Sequence, residues 1–264
     1  MQSSIQSAQD LVNSFNNSPY PSLKATNYFK IYADLFSHLR GTDCTFIETG
    51  ILNGGSLFMW RDWLGPKARI IGLDLNPNAV KWKNHGFEIY IGDQGDPSFW
   101  QEIFNTIGNF DVLLDDGGHQ SFQQIVTLVE SLKAVNPTGL IVVEDTITSY
   151  MKEFAQHGNN CFLNYAKAAT DTLVARSSGV WPDDFYPVGN KEVMEQFSKI
   201  YSIEFFSSIV AFKIEDYAEE NPRTVWNKAP ERTEFDYRSA GTSKSVSVNW
   251  PNPFSKNIVT IRGY

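Results

Sequence analysis

The segment VLLDDGGHQ, residues 112–120, joins a run of aliphatic residues to two carboxylates, two glycines and a histidine. An almost wholly aliphatic run is typical of a strand buried on both faces of a parallel sheet. Similar runs occur as CTFIETG at 44–50, RIIGLDLN at 69–76, FEIYIGD at 87–93 and LIVVEDT at 140–146. Because helical periodicity lies between several of these runs, residues 45–146 are predicted to form a mostly parallel, doubly wound sheet covered by helices.

The rest of the chain adds helices and a pair of strands to this α/β prediction. Apolar residues at helical spacing predict helices over 28–39, 55–65, 121–135, 161–175 and 191–200. The segment YSIEFFSSIVAFKI, residues 201–214, predicts two antiparallel strands around a Ser-Ser break. The predicted domain is a Rossmann-like, seven-stranded sheet over 28–215, preceded by an N-terminal helical arm over 1–27. Residues 216–264, polar with scattered aromatic residues and little periodicity, are predicted to be a C-terminal extension that serves as a lid or subunit contact.

Composition and charge exclude several classes of protein. The net charge of −8 and the isoelectric point near 5.0 argue against a nucleic-acid-binding or anionic-membrane-binding protein. No apolar run approaches the roughly 18 residues that span a bilayer, and the N-terminus lacks the basic start and apolar segment of a signal peptide. The two cysteines, Cys44 and Cys161, are expected to be free thiols. We therefore expect a cytoplasmic protein that binds neither nucleic acid nor membranes.

The residues that end the first three aliphatic runs are candidate cofactor contacts, because ligands of open parallel sheets bind beyond the carboxyl ends of the strands. The first run ends in ETGILNGGS, residues 48–56, where Leu52 replaces the second glycine of a dinucleotide-binding G-x-G-x-x-G motif. The pattern E-x-G-x-x-x-G-G instead resembles the first motif of class I S-adenosylmethionine (AdoMet) methyltransferases. The second run ends at Asp74, suited to ribose hydroxyls, and the third at Asp93, at the level of an adenine contact in methyltransferases. AdoMet is the favoured cofactor, with predicted contacts at Glu48, Gly50, Asn53, Gly54, Gly55, Ser56, Asp74, Asp93 and Asp115.

Four carboxylates end the fourth and fifth runs, at 115–116 and 144–145. If these strands are neighbours, they lie about 4.8 Å apart, and the crowded carboxylates need basic side chains or a divalent cation. Only His119 and Lys152 lie nearby in sequence, so a divalent cation is the better partner for the carboxylates. A site whose ligands are all oxygen atoms suits Mg²⁺, or Mn²⁺ or Ca²⁺. In the alternative interpretation the acids cap helices and bind loop amides, and Asp115 can also face the amine of the cofactor.

A family resemblance rests on DDGGHQ at 115–120, followed by VVEDT at 142–146. These motifs resemble the metal-dependent sugar O-methyltransferases of macrolide biosynthesis, of the macrocin and mycinamicin type, and are similar to the cephalosporin hydroxylase-like group. The resemblance covers roughly residues 28–148, and it differs at Gly118, where the family usually has Ser. It implies a homo-oligomeric O-methyltransferase that acts on a sugar hydroxyl of a glycosylated small molecule. In this chain it implies His119 as the general base and, as Mg²⁺ ligands, Asp116, Glu144 and Asp145.

The implied reaction begins with the deprotonation of an alcohol, which is a poor nucleophile at neutral pH. A metal bound to the hydroxyl lowers its pKa, and His119 is suited to accept the proton. Because a second hydroxyl on the adjacent carbon completes the chelation, a vicinal diol of a sugar or a catechol is the natural substrate.

Two other classes of function remain open from the sequence. A nicotinamide-dependent oxidoreductase shares the Rossmann-like fold, but Leu52 counts against it. A non-catalytic AdoMet-binding or metal-binding subunit is disfavoured because His119 and the acidic residues are all present. An iron-dependent hydroxylase needs two histidines and a carboxylate, whereas only one of the four histidines lies in the motif region.

Overall fold

The aliphatic runs form one sheet in the computed structural model, which describes residues 4–154, 160–175 and 196–215 and the backbone of 244–249 and 258–263. Its seven strands are β1 (Thr45–Thr49), β2 (Arg69–Asp74), β3 (Glu88–Ile91), β4 (Phe110–Asp115), β5 (Val135–Val143), β6 (Ile200–Phe205) and β7 (Val210–Ile214). The spatial order is β3-β2-β1-β4-β5-β7-β6, with β1 to β5 parallel and β7 antiparallel to both of its neighbours. The predicted seven-stranded, mostly parallel α/β fold is confirmed.

The register of the strands brings their carboxyl ends to one edge of the sheet. Thr49 pairs with Leu73 on one side and with Asp115 on the other, and Asp115 pairs with Val143. The chain winds outward from β1 to β3 and then returns to β4 on the opposite side of β1. This reversal of strand order opens a crevice at the carboxyl edge, where ligands of such folds bind.

Helices cover both faces of the sheet, because successive strand residues point to opposite faces. Val112 and Leu114 belong to one buried apolar cluster, and Leu113 belongs to the other. The first cluster includes residues of α1 (Ser4–Asn16), α2 (Tyr28–Phe36) and α3 (Gly55–Leu64). The second includes residues of α4 (Pro97–Ile107), α5 (Ser121–Ser131) and α6 (Phe162–Ala175).

The N-terminal residues are an integral layer of this unit. The side chain of Leu11 in α1 is fully buried, and the Trp63 indole donates a hydrogen bond to the Ser7 carbonyl oxygen at 3.0 Å. Residues 18–27, named here the crossing segment, then pass over the carboxyl edge. A Cβ atom at Gly55 would lie 2.3 Å from the carbonyl oxygen of Tyr20, so glycine is required where this segment crosses α3.

Two predicted helix ends were wrong. The helix predicted over 121–135 ends at Ser131, and β5 already begins at Val135, because Val135 pairs with Phe110 before a shift in register. The helix predicted over 28–39 ends at Phe36 and gives way to a 3₁₀ turn over Ser37–Leu39.

Helix α4 was not predicted, although the sequence carries a start signal for it. Asp96 is its N-cap and accepts a hydrogen bond from the backbone N–H of Ser98 at 2.8 Å, and Pro97 occupies the first helical turn. The helix predicted over 191–200 lies largely outside the described residues, and Ile200, its predicted last residue, begins β6 instead.

The chain divides into two compact units, Met1–Arg223 and Thr224–Tyr264. The second contains the antiparallel strands β8 (Lys244–Asn249) and β9 (Ile258–Gly263), which the polar composition of the C-terminal extension did not predict. The predicted boundary near residue 215 and the role as lid or subunit contact stay predictions. Cys44 and Cys161 are buried free thiols, as expected. The helices among the described residues are all too short or too polar to span a bilayer.

Candidate functional site

A cavity of about 460 Å³ opens at the carboxyl ends of the parallel strands. Its wall includes Asp74 from β2, Asp93 from the loop after β3, Asp116 from the loop after β4 and Asp145 from the loop after β5. This volume lies in the range of roughly 300–1,000 Å³ that is common for small-molecule sites. The cavity is therefore large enough for a nucleoside-sized cofactor.

The two acids at the β2 and β3 ends order the loops around them. Asp74 accepts hydrogen bonds from the backbone N–H groups of Ile51 at 3.1 Å and Leu52 at 3.0 Å, so its carboxylate fixes the turn after β1. Asp93 accepts one from the N–H of Gly95 at 2.7 Å. Both carboxylates also line the cavity.

The glycines of the first motif serve close packing of the protein's own chain. Gly50 has a φ of +83°, and a Cβ atom there would lie 2.0 Å from the carbonyl oxygen of Asp116. Gly54 lies against the ring of Trp82, where a Cβ atom would come within 2.4 Å. Of the predicted cofactor contacts in this motif, the residues that line the cavity are Gly50, Asn53 and Ser56.

Asp116, His119 and Asp145 form a cluster at the other end of the cavity, named here the outer group. One potential ligand atom from each residue lies within 4.8 Å of the others, and His119 Nε2 is 3.6 Å from Asp145 Oδ2. His119 and Asp145 have φ values of 58° and 50°, a left-handed conformation that costs a non-glycine residue roughly 1–3 kcal/mol. The Thr148 hydroxyl supports both backbones, since it lies 3.0 Å from the His119 carbonyl oxygen and 2.8 Å from that of Asp145.

A second cluster, named here the inner group, consists of Lys24, Glu48 and Glu144, and all three side chains are buried. The Lys24 ammonium donates to Asp116 at 2.5 Å, to Glu144 at 3.1 Å and to Glu48 at 3.5 Å. Glu144 also accepts a hydrogen bond from the Tyr32 hydroxyl. Asp116 is thus the residue that joins the inner group to the outer group.

Burial and charge act against each other in the inner group. Burial lowers the pKa of Lys24, but the nearby carboxylates of Glu144, Asp116 and Glu48 outweigh it and hold that pKa well above its ordinary value. Burial, and then the charge of Asp116, raise the pKa of Glu144, which Lys24 partly offsets. The three carboxylates thus offset the effect of burial on the pKa of Lys24.

Asp115 is buried behind the cavity wall rather than exposed in it. Its Oδ1 accepts hydrogen bonds from the Gln94 amide at 2.9 Å and from the Gly117 N–H at 3.2 Å. Among the described residues, its Oδ2 has no hydrogen-bond partner, and burial raises the pKa of this carboxyl group. The oxygen of the Gln94 amide accepts from the Gly118 N–H at 2.7 Å, so Gln94 ties the β3 and β4 loops together.

The structure brings together only part of the predicted metal site. Asp116, Asp145 and the predicted base His119 share the outer group, whereas Glu144 is turned toward Lys24 and Tyr32. Among the other predicted contacts, Glu48 is buried, accepts from the Ser56 hydroxyl at 2.6 Å and belongs to the inner group.

The basic partner of the carboxylates was not predicted. His119 and Lys152 lie nearby in sequence, whereas Lys24 contacts Asp116 across 92 residues. No signal in the crossing segment marks this lysine as a site residue. Gln94 was also missed, although it follows Asp93 directly in the third strand-end motif.

Comparison with family models gives no match for this chain. Curated relatives do match. The mycinamicin VI 2''-O-methyltransferase of Micromonospora griseorubida is 36% identical over 130 residues, which is 45% of this chain and 31% of the relative. An 8-demethyl-8-alpha-L-rhamnosyl tetracenomycin-C 2'-O-methyltransferase of Streptomyces olivaceus is 29% identical over 134 residues, 48% of this chain and 35% of the relative. The matched region thus spans about a third of the length of these relatives.

Solved structures extend the similarity to most of the fold. The MycE methyltransferase from the mycinamycin biosynthetic pathway, in complex with Mg, SAH and mycinamycin VI, superposes with a TM-score of 0.65 at 21% identity. The match covers 86% of this chain and 57% of MycE. The fold is that of the class I methyltransferases, and the resemblance to sugar O-methyltransferases that the sequence predicted is confirmed.

Proposed function

We propose that this protein is an AdoMet-dependent O-methyltransferase that methylates a sugar hydroxyl of a glycosylated small molecule. The observation that carries the proposal is the single cavity into which Asp74, Asp93 and the outer group all face. One end of the cavity offers acids at the strand ends where a nucleoside binds in this fold. The other end offers a histidine and two carboxylates. The relatives named above, each an O-methyltransferase by name and one of them acting on a rhamnosyl compound, support the same reaction.

The residues around the turn after β1 fit AdoMet. Asp74 would hold the ribose hydroxyls, because its Oδ1 accepts only the Asn76 N–H among the described residues and an ionised oxygen has room for a further donor. Asp93 would hold the adenine end of the cofactor from the loop after β3, and Gly50 and Asn53 line the same cavity. When bound, AdoMet would supply an electrophilic sulfonium methyl group for transfer to the acceptor oxygen.

The outer group fits a divalent cation. Asp116 and Asp145 offer the carboxylate oxygens that Mg²⁺ prefers, and a ligand nitrogen from His119 would be better suited to Mn²⁺. The relative MycE was solved with Mg, which supports this assignment. A bound divalent cation supplies a Lewis acid that lowers the pKa of a neighbouring hydroxyl. We therefore assign Asp116 and Asp145 as its ligands and leave His119 free to act as the base.

His119 would accept the proton of the acceptor hydroxyl at Nε2. That nitrogen lies 3.6 Å from Asp145 Oδ2, so the positive charge that forms on the imidazole is stabilised by a carboxylate. The left-handed backbone at His119 and its contact with Thr148 fix the direction of the ring. The residue thus has a position and a stabilising partner that suit a general base.

The acceptor is expected to be a sugar with neighbouring hydroxyl groups, since two relatives are named as 2'-O- and 3'-O-methyltransferases of rhamnosyl tetracenomycins. Exposed apolar residues surround the cavity mouth, including Leu23, Leu52 and Leu75. They offer a surface for the apolar body that carries the sugar. A homo-oligomeric state and a cytoplasmic location stay predictions.

The proposal is tested by transfer of a labelled methyl group from AdoMet to small molecules that carry a rhamnosyl group. The matched control is the same compound with its 2-hydroxyl and 3-hydroxyl groups already methylated. Label is expected in the first and not in the second. If the protein binds NADH and not AdoMet in a parallel binding assay, the oxidoreductase alternative replaces the proposal.

A further inference from the structure

One tyrosine hydroxyl, that of Tyr28, contacts both the carboxylate and the backbone of Asp145. It donates to Asp145 Oδ1 at 2.5 Å, and its oxygen accepts a hydrogen bond from the Asp145 backbone N–H at 3.3 Å. A phenol can donate and accept at once, and it keeps its proton at neutral pH. Tyr28 thus supports a residue whose backbone is in the left-handed conformation.

The position of Tyr28 is fixed by the fold. Tyr28 is buried and is the first residue of α2. The side-chain amide of the preceding residue, Asn27, donates to the Ser207 carbonyl oxygen at 3.2 Å, in the turn between β6 and β7. The next residue of that turn, Ser208, accepts from the Thr146 N–H at 3.0 Å through its carbonyl oxygen. The start of α2 and this turn therefore hold the loop after β5 from two sides.

The contact with Tyr28 decides which oxygen of Asp145 faces the histidine of the outer group. Oδ1 accepts from the Tyr28 hydroxyl, whereas Oδ2 lies 3.6 Å from His119 Nε2. The terminal torsion of an aspartate has broad, roughly two-fold energy wells, and the Asp145 side chain is 38% exposed. Without a partner for Oδ1, this carboxylate would be free to turn in the solvent.

We propose that Tyr28 is a positioning residue, which holds Asp145 Oδ2 toward His119. Tyr28 is not among the described residues that line the cavity, so it acts through Asp145. The inference rests on the proposed function, in which Asp145 stabilises the positive charge that forms on His119. The orientation of the Asp145 carboxylate can nevertheless be measured without an acceptor, a cofactor or a metal.

The first test compares crystal structures of the wild type and Tyr28→Phe, both grown without divalent cations. Phenylalanine keeps the ring, which lies beside the Tyr32 ring with centroids 5.9 Å apart, and removes only the hydroxyl. In the variant, the distance from Asp145 Oδ2 to His119 Nε2 is expected to grow by about 1 Å, a misplacement that can cost about 10²-fold in rate. An Asp145 carboxylate in the wild-type orientation would overturn the proposal.

The second test is methyl transfer, with Tyr90→Phe as the matched control. The Tyr90 hydroxyl also donates to a carboxylate, that of Glu88 at 3.5 Å, but it does so on β3. In Tyr28→Phe, kcat is expected to fall by about 10–100-fold, as for other lost supporting contacts, while the KM for AdoMet keeps its wild-type value. Tyr90→Phe should keep the wild-type kcat. A loss of kcat that both variants share, or that comes with a raised KM for AdoMet, would contradict a role confined to Asp145.

Together the two tests separate this proposal from the proposed function. If the wild type transfers no methyl group to the rhamnosyl compounds, the proposed function fails, and the crystal structures alone decide whether Tyr28 positions Asp145. If the wild type is active and Tyr28→Phe has the same kcat, the proposed function stands and the role of Tyr28 fails.

Discussion

The inner and outer groups share Asp116 but differ in exposure and in charge balance. Side chains of the inner group are at most 1% exposed, and the charge of Lys24 lies among the carboxylates. In the outer group, His119 is 24% and Asp145 is 38% exposed, and of its two carboxylates Asp116 contacts Lys24 whereas Asp145 lies beside the histidine. A buried carboxylate needs a partner within the fold, whereas a half-exposed one can be left for a ligand. The difference separates the acids that hold the site together from those that are available for chemistry.

The largest expected effect is on the rate of methyl transfer. Replacement of His119 by alanine removes the base and is expected to lower kcat by about 10²–10⁴-fold. AdoMet binding should be unchanged, because Asp74 and Asp93 lie at the other end of the cavity. His38→Ala, a histidine of the turn after α2, is the matched control and should keep the wild-type rate. A wild-type rate in His119→Ala would contradict the assignment of the base.

The inner group should dominate stability. Lys24→Met leaves buried carboxylates without their counter-ion and is expected to lower the free energy of unfolding by about 3–5 kcal/mol, measured by urea denaturation. Lys24→Met with Glu144→Gln removes one charge of each sign and should recover part of the loss. Lys30→Met, which breaks an exposed pair with Asp34, is expected to change stability by no more than about 1 kcal/mol. Equal losses of stability in Lys24→Met and Lys30→Met would contradict the prediction that the buried ion pairs contribute more to stability than the exposed pair.

AdoMet affinity tests the end of the cavity opposite the outer group. Asp74→Asn weakens the charge-assisted hydrogen bonds to the turn after β1 and the expected contact with ribose, at about 1.5–3 kcal/mol, or roughly 10–150-fold in Kd. Asp96→Asn is the matched control, because aspartate and asparagine are equivalent N-caps and Asp96 caps α4. Isothermal titration calorimetry checks both, and equal Kd values for the two variants would contradict the cofactor assignment.

The smallest effect on stability is expected for an ion pair at the amino ends of β2 and β3, away from the cavity. Arg69 donates to both oxygens of Glu88, at 2.6 and 2.7 Å, and this hydrogen bonding lowers the pKa of Glu88 below its ordinary value. A lowered pKa means that the pair stabilises the fold above the ordinary pKa of glutamate and loses this effect as the pH falls through the lowered value. Because both side chains are over a third exposed, Glu88→Gln is expected to lower stability at pH 7 by at most about 1 kcal/mol.

Denaturation at several pH values checks this prediction. The difference in stability between the wild type and Glu88→Gln should shrink as the pH falls below the ordinary pKa of glutamate. A difference that grows toward acid would reverse the sign of the effect and contradict the pairing with Arg69.

The fold was predictable because its strands are marked by local composition. Five aliphatic runs between helical segments predict a parallel sheet, and the acids that end them predict which edge carries the site. Helix α4 was not predicted from the apolar runs, although Asp96 and Pro97 mark its start. The end of α5 was misplaced because Val135 pairs with Phe110, a contact between strands that local periodicity does not contain.

The candidate site was predictable only where its residues follow one another along the strand ends. Asp116, His119 and Asp145 come from two neighbouring strand ends, so strand order alone brings them together. Lys24 contacts Glu144 across 120 residues, and no pattern in the crossing segment indicates where its side chain points. Alternation along a strand assigns a residue to a face of the sheet, but Glu144 and Asp145 lie beyond β5, where that rule no longer applies.

The most direct test of the account is calorimetric titration of AdoMet into the protein, followed by Mg²⁺ into the AdoMet-loaded protein, for the wild type and Asp145→Asn. Asp145 is chosen because it belongs to the outer group, whereas the carboxylates that pair with Lys24 are those of Glu48, Asp116 and Glu144, so its loss leaves the buried ion pairs in place. The account predicts saturable AdoMet binding in both proteins and saturable Mg²⁺ binding in the wild type alone. Absence of AdoMet binding in the wild type, or equal Mg²⁺ binding by both proteins, would contradict it.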